Sequence, residues 1–347
     1  MGRDAAAKCQ WETQIQRLLL RRPWTTTMSS SAYRDTIVVR LAYDGVTGLG
    51  EGAPIDRYRE NAGAGQTAIE SILPFLRGVD PWQFEKLAAN VSRKIDGQFA
   101  AKAALDIATL DWVGKKLGAP VYRVLGLDPA DAPITTYSIG IDTPEMTRQK
   151  ILEAEAFPVF KIKLGLSSDE ATMGAVRAAT RKPLRVDANE GWKDREEAVR
   201  KINWLESQGV ELIEQPMPAE MVEETRWVRD RVHLPIIADE AAVSAAAIPR
   251  LVGAYDGVNV KLDKCGGIQA ALRMIHVAKA HGMKTMLGCM ISSSISVTAA
   301  AHLSPLVDFA DLDGNLLVAN DPYRGVTVQE GRLILPDGPG LGIGPRE

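Results

Sequence analysis

The 347-residue sequence predicts an α/β fold, a modified parallel (β/α) barrel preceded by an α+β capping domain. Two features carry that expectation. From Ile134 onward, strand-like runs recur near residues 134–140, 160–164, 184–188, 211–214, 235–239, 257–262, 284–289 and 307–311, with helical patterns between most of them, which is the alternation of a parallel barrel. Three consecutive runs also end on a carboxylate: Leu184-Arg185-Val186-Asp187, Leu212-Ile213-Glu214 and Ile236-Ile237-Ala238-Asp239. The acids stand 27 and 25 residues apart (214 − 187 and 239 − 214), room each time for one strand, one helix and two loops. Parallel barrel strands all end on one face, so three acids there suit a hard, oxygen-liganded cation such as Mg²⁺.

Taken in order, residues 1 to about 12 read as an N-terminal extension. The run Leu18-Leu19-Leu20, closed by Arg21 and Arg22, is too short for a signal or a membrane span, and Ala6 breaks a myristoylation pattern. From Ile15 to about Gly50 the pattern is strand-like, with Thr36 to Tyr43, the turn Asp44-Gly45 and a return from Val46. Thr25 to Ser31 and Ala53 to Arg59 read as loops. Helical patterns follow from about Gln66 to Leu76 and from about Gln98 to Leu117, the second stopped by Gly118 and Pro120. The prolines of Asp128-Pro129-Ala130-Asp131-Ala132-Pro133 mark a boundary. The expected division is a capping domain over 1–130, a barrel over 131–320, and a β-like, Gly/Pro-rich segment over 321–347 that returns to the cap.

Lysines flank the three acids. In Phe160-Lys161-Ile162-Lys163-Leu164, period-2 alternation sends Lys161 and Lys163 to one face, and Val258-Asn259-Val260-Lys261 places Lys261 across the mouth from Lys163. A barrel-lining ammonium is costly unless its pKa falls or a counter-charge is near. Lys161, beside Lys163 on one face, is expected to disfavour the charged form of Lys163. Lys264 and Asp263 read as residues of the following loop, and His233, His276, His281 and His302 as structural.

Composition excludes other classes. With 41 basic against 44 acidic residues and a net charge of −3, nothing favours nucleic acid or a membrane surface. Cys9, Cys265 and Cys289 have no paired spacing, which fits a reducing compartment, the cytoplasm.

Lys161-x-Lys163, the Asp187/Glu214/Asp239 series, Lys261-Leu262-Asp263-Lys264-Cys265-Gly266-Gly267 and Asp311-Leu312-Asp313-Gly314 together resemble the muconate-cycloisomerase branch of the enolase superfamily, and within it the dipeptide epimerases. Gly50-Glu51-Gly52, Ala104-Leu105-Asp106 and Leu287-Gly288-Cys289-Met290 extend the similarity over most of the chain. The resemblance implies a modified TIM barrel with a capping domain, one Mg²⁺ per subunit on Asp187, Glu214 and Asp239, and Lys163 and Lys261 as acid/base groups on opposite faces of the substrate. Lys161 would support them. The implied reaction is a 1,1-proton transfer at the α-carbon of the C-terminal residue of a dipeptide such as L-Ala-D/L-Glu, and a homo-oligomer is expected. A proton beside a carboxylate leaves only if the resulting dianion is stabilised, which a fixed divalent ion does. Enolase-superfamily sites as a class pair a Lys or His base with Mg²⁺ on this logic. On the same scaffold a cycloisomerase, an o-succinylbenzoate synthase or an N-acylamino-acid racemase is the alternative, and outside enzymes a barrel that only binds metal and a small acid.

Substrate contacts complete the expectation. Asp311 and Asp313 make a doubly anionic pocket suited to the dipeptide's ammonium. The resembling Ala-Glu epimerases place an arginine in the loop that here reads Thr25-Thr26-Thr27-Met28-Ser29-Ser30-Ser31. With Met28 in that loop instead of a charge, Arg57 or Arg59 is expected to read an acidic side chain.

Overall fold

The computed structural model describes residues 8–346; the greater part of the expected N-terminal extension, residues 1–7, lies outside the described residues. The rest of that extension is not one. Strand β1 (Gln10–Thr25) begins with Gln10 paired to Ala42, and it runs antiparallel to β2 (Ser30–Tyr43), which pairs in turn with β3 (Val46–Gly52). The polar stretch at 25–31 is therefore a tight hairpin tip on two long strands, closed by the Thr26 amide donating to Ser29 O at 3.0 Å. Thr26 to Ser29 form the expected loop, and only Thr25, Ser30 and Ser31 at its ends pair as strand.

The two faces of β2 belong to different cores. Ile37, Val39 and Leu41 pack with the cap helices Ala62–Ser71, Phe84–Lys94 and Phe99–Leu117, whereas Val38, on the other face, joins the barrel core. The helix at Phe84–Lys94 has no counterpart among the helical patterns of the sequence. Strand β3 lies against Phe99–Leu117 because every second residue is glycine: a Cβ at Gly48, Gly50 or Gly52 would stand about 2 Å from the carbonyl oxygen of Ala108, Ala104 or Ala100. Glycines two apart on a strand thus meet alanines four apart on a helix, and each repeat fits the other's rise.

Eight parallel strands follow: β4 (Tyr137–Ile139), β5 (Phe160–Lys163), β6 (Leu184–Asp187), β7 (Val210–Glu214), β8 (Ile236–Ala238), β9 (Gly257–Val260), β10 (Lys284–Gly288) and β11 (Phe309–Asp311). They pair in sequence order, and a bridge between Thr135 and Ala310 brings the first edge against the last. Side chains alternate in and out, so successive inward residues form layers. Leu212, Ile237, Met286 and Phe309 form an apolar plug low in the barrel. Two residues further along the same strands, or just past their ends, stand Glu214, Asp239, Gly288 and Asp311. The plug is thus the floor of a polar mouth.

Several contacts hold the cap over that mouth. Thr27 Oγ1 donates to Asn189 O at 2.9 Å, the Ala53 amide to Asp263 Oδ1 at 2.7 Å, and buried Glu51 accepts from the Ser293 hydroxyl at 2.6 Å. The C-terminal segment lies along the cap helix Phe99–Leu117, where the Leu341 amide donates to Asp111 Oδ1 at 2.7 Å. No helix among the described residues is long and apolar enough to cross a membrane.

Candidate active site

Asp187 closes β6 and Glu214 closes β7, while Asp239 follows β8 and Lys261 follows β9 by one residue. One carboxylate oxygen of each acid lies within 4.8 Å of the others, and all three acids are buried. The acids are positioned by their neighbours: the Asn189 amide donates to Asp187 Oδ1 at 2.9 Å, and Asn259 Nδ2 to Glu214 Oε1 at 2.8 Å. The backbone turns sharply behind Asp187 and Glu214, with Asn189 at φ 42° and Gln215 at φ 36°, and the Gln215 side chain braces the turn at Asp239 by accepting from the Asp239 amide at 2.9 Å.

Lys163 Nζ donates to Asp187 Oδ2 at 2.6 Å and Lys261 Nζ to Asp239 Oδ2 at 2.8 Å. β5 and β9 are four places apart in an eight-strand ring, so the two lysines rise from opposite walls. Lys161 lies 2.6 Å from Asp311 Oδ2, 2.7 Å from Glu214 Oε2 and 3.2 Å from Asp187 Oδ2. Burial alone would lower its pKa, but Asp311, Glu214 and Asp187 outweigh burial and hold it well above the usual ammonium value, so it stands charged among three carboxylates. Lys261 is likewise raised, by Asp239 and Glu214 against burial.

Lys264 does not stand in the loop where the sequence places it. Its buried Nζ contacts the Asp239 carboxylate and donates to Asp239 O at 2.6 Å and Asn259 O at 2.9 Å. The one-turn helix Leu262–Cys265 folds the side chain back under the mouth, a reversal that strand periodicity could not show. Asp263, on the same one-turn helix and so also outside the expected loop, anchors the cap by accepting from the Ala53 amide.

The residues fit a divalent ion. Four buried ammonium groups, Lys161, Lys163, Lys261 and Lys264, face six buried carboxyls, Asp187, Glu214, Asp239, Glu240, Asp311 and Asp313, a formal charge of −2 (4 − 6). The surplus shows where lysines are scarce. Against the upward push of burial, Lys163 and Lys161 hold Asp187 below its ordinary range and Lys261 and Lys264 hold Asp239 well below, whereas burial and then Asp187 push Glu214 up to about 7. Although Lys161 pairs with it electrostatically, buried Glu214 Oε2 receives no hydrogen bond, because the ammonium approaches at the wrong angle. A donor set of three carboxylates with one oxygen left bare is chemistry for Mg²⁺.

The mouth opens into a cavity of about 800 Å³ between barrel and cap, lined among others by Lys163, Lys261, Asp313, Met28, Arg57 and Arg34. Asp311 and Asp313 are brought together over Ser138: Asp311 Oδ1 accepts from its hydroxyl at 3.1 Å, and Asp313 Oδ2 from its amide at 2.5 Å. The pocket is less anionic than expected, since Lys161 already neutralises Asp311. Asp313, pushed up to about 7 by burial and then by Asp311, is the member without an ammonium.

The arginines part company. Arg57 reaches the cavity but its guanidinium is engaged by Glu190, with Nε to Oε2 at 2.6 Å and Nη2 to Oε1 at 2.8 Å, so its charge is committed to holding the loop down. Arg59 is exposed, in the left-handed region at φ 57°, and does not line the cavity. Neither is the free reader expected from the sequence. Met28, 44% exposed, stands at the hairpin tip on the cavity rim.

Comparison with known proteins agrees with this architecture. Residues 11–126 match the mandelate racemase/muconate lactonizing enzyme N-terminal domain, and residues 145–347 the enolase C-terminal domain-like family. The chain is 43% identical over 333 residues to the L-Ala-D/L-Glu epimerase of Bacteroides thetaiotaomicron, covering 94% of this chain and 85% of that one. It is 42% identical over 337 residues to the L-Ala-D/L-amino acid epimerase of Pedosphaera parvula, covering 93% and 95%. Among solved structures, the dipeptide epimerase of Enterococcus faecalis complexed with Mg and L-Leu-L-Tyr superposes with a TM-score of 0.91 at 33% identity, covering 97% and 99%. With both domain families matched in order and the acids and lysines gathered at the barrel mouth, the chain belongs to the mandelate racemase/muconate lactonizing enzyme family of the enolase superfamily.

Proposed function

We propose that the chain is a Mg²⁺-dependent dipeptide epimerase that inverts the α-carbon of the C-terminal residue, with L-Ala-D/L-Glu as lead substrate. The observation that carries the reading is the pair Lys163 and Lys261 on opposite barrel walls, flanking three clustered carboxylates. Epimerisation needs a proton removed from one face and returned to the other, and two amines facing each other across the substrate do both. Asp187, Glu214 and Asp239 would hold the cation, which supplies positive charge against the substrate carboxylate as the α-proton leaves.

The chain's own residues do the rest. Lys163 Nζ takes the proton from one stereoisomer while Lys261 Nζ delivers one to the opposite face; the reverse reaction exchanges their roles. Lys161 keeps Asp187, Glu214 and Asp311 in register. Asp313 and Asp311 receive the α-ammonium of the N-terminal residue, which fixes the α-carbon of the second residue between the lysines. Arg57, paired with Glu190, and the Thr27 contact to Asn189 keep the cap loops down so that the cavity excludes water.

The reading extends to a cytoplasmic homo-oligomer; the three free cysteines support a reducing compartment. A cycloisomerase on the same scaffold has no ammonium to place on Asp311 and Asp313. The deciding experiment incubates the protein with Mg²⁺ and a dipeptide library in D₂O. Deuterium at the α-carbon of the second residue, together with appearance of the opposite stereoisomer, is expected; exchange in no dipeptide would rule the reading out.

A further inference from the structure

Arg57 is paired with Glu190 and Arg59 does not line the cavity, and the structure offers another arginine. Arg34 sits on β2, four residues before Val38 and so on the same face of the strand, and Val38 packs into the barrel core. That face is the one turned to the barrel. At Arg34 it has passed beyond the packed core and overhangs the mouth, where Arg34 lines the same cavity as Lys163 and Lys261.

What separates Arg34 from Arg57, the other arginine on the cavity wall, and from neighbouring Arg17 is its company. Arg17 pairs with Asp35 at 2.8 Å, and Arg57 with Glu190 at 2.6 Å. Among the described residues Arg34 makes no ion pair, and its one hydrogen bond is Nη1 to Tyr33 O at 3.1 Å. Burial lowers the pKa of its guanidinium, and Asp56 only partly offsets that. The remaining cap acids on the cavity wall are occupied: Asp35 by Arg17, and Glu60 by the Phe99 and Ala100 amides at 2.6 and 3.1 Å. A partly buried guanidinium with most of its donors unspent, facing a cavity, is an anion site.

We propose that Arg34 reads the side-chain carboxylate of the dipeptide's second residue, which makes the substrate class acidic dipeptides and makes Arg34 the specificity determinant. The assignment rests on the dipeptide-epimerase reading. It places the two charge-reading devices at opposite ends of the substrate: Asp311 and Asp313 at the ammonium, Arg34 at the distal carboxylate, with the lysines between.

The test measures kcat/KM and α-deuterium incorporation for L-Ala-L-Glu, L-Ala-L-Gln and L-Ala-L-Leu with wild type, R34A, R34K and R57A, all with Mg²⁺. Wild type should favour Glu over the isosteric Gln by about 10- to 100-fold, the worth of a charge-assisted hydrogen bond. R34A should collapse that ratio, with the loss for Glu appearing in KM. R34K should restore part of it, and R57A should lower all three substrates together and leave the ratio standing. Because the ratio compares substrates on one preparation, it does not depend on the fraction of folded enzyme. Exchange with the Glu/Gln ratio intact in R34A, or a wild type that prefers Gln or Leu, overturns the Arg34 assignment alone. Exchange in none of the three, nor in any wider dipeptide set, overturns the epimerase reading and this assignment with it.

Discussion

The barrel mouth and the cap face that covers it are built by different rules. At the mouth Asp187, Glu214, Asp239, Lys163, Lys261 and Asp311 are each the last or next residue of a strand, and their direction follows from period-2 alternation above an apolar plug. On the cap face, functional side chains hang from a hairpin and a loop whose geometry is set by contacts to residues more than a hundred positions away, such as Thr27 to Asn189 and Arg57 to Glu190. The mouth is a lattice and the cap is a fitting. The proposed roles put chemistry in the lattice and selection among substrates in the fitting.

If that contrast is right, changes at the mouth should act all-or-none. Glu214→Gln removes one charge from the triad and no packing contact, so turnover should fall at least about 1000-fold while the cooperative unfolding transition is kept. Chelation should reproduce the loss in wild type. An active E214Q variant, or full activity in excess chelator, would break the metal assignment and the distinction with it.

The lysines sharpen the contrast within the mouth. Lys261→Ala should stop interconversion in both directions, by about 100- to 10,000-fold, yet leave solvent exchange at the α-carbon of one stereoisomer through Lys163. Lys163→Ala should leave exchange in the other isomer only. Proton NMR in D₂O on each pure isomer separates the two outcomes. Identical behaviour of both isomers in both variants would mean that a single group serves both faces.

Arg57→Ala tests the fitting. Loss of the pair with Glu190 frees the loop without touching the lysines, so kcat/KM should drop by about 10-fold, equally for acidic and neutral second residues. The cost in stability should stay below about 1 kcal/mol, because the arginine is a third exposed. A loss confined to acidic substrates would restore Arg57 as the reader and remove Arg34 from that role.

The sequence showed the mouth well and the cap poorly, for reasons that follow from the same contrast. Asp187, Glu214 and Asp239 could be read from run length and spacing, and Lys163 and Lys261 from alternation, because strands convert position into direction. Lys264 escaped because a one-turn helix reverses the chain just after Lys261. Glu240 and Glu190 escaped because the strand-end turns, with Glu190 at φ 63°, redirect side chains away from any regular period. Arg34 escaped because the clear strand signal begins only at Thr36; extended back to Ser30, the alternation through Val38 would have turned Arg34 toward the barrel.

The seam between cap and barrel supplies the smallest expected effect on catalysis, and it shows in stability. His302, the one buried histidine among His233, His276, His281 and itself, accepts from the Tyr122 amide through Nδ1 at 3.1 Å and faces Leu341 O through Nε2 at 3.3 Å, joining the end of the barrel helix Ser294–Ala301 to the cap side and the C-terminal segment. Nδ1 must be bare to accept, so Nε2 carries the proton and the ring is neutral. Burial depresses its pKa from 6.5 to about 4. As pH falls through 6.5 the unfolded chain takes up a proton that the folded chain refuses until about 4, so this contribution is complete above 6.5 and is lost progressively between 6.5 and 4. Its size is at most about 3 kcal/mol. Substituting Gln at 302 should lower the melting temperature at pH 7.5 through the altered seam, but flatten its fall between pH 6.5 and 4.5 relative to wild type. Parallel melting curves across that window would show that the ring titrates alike in both states, and that His302 does not act as a neutral bridge across the seam.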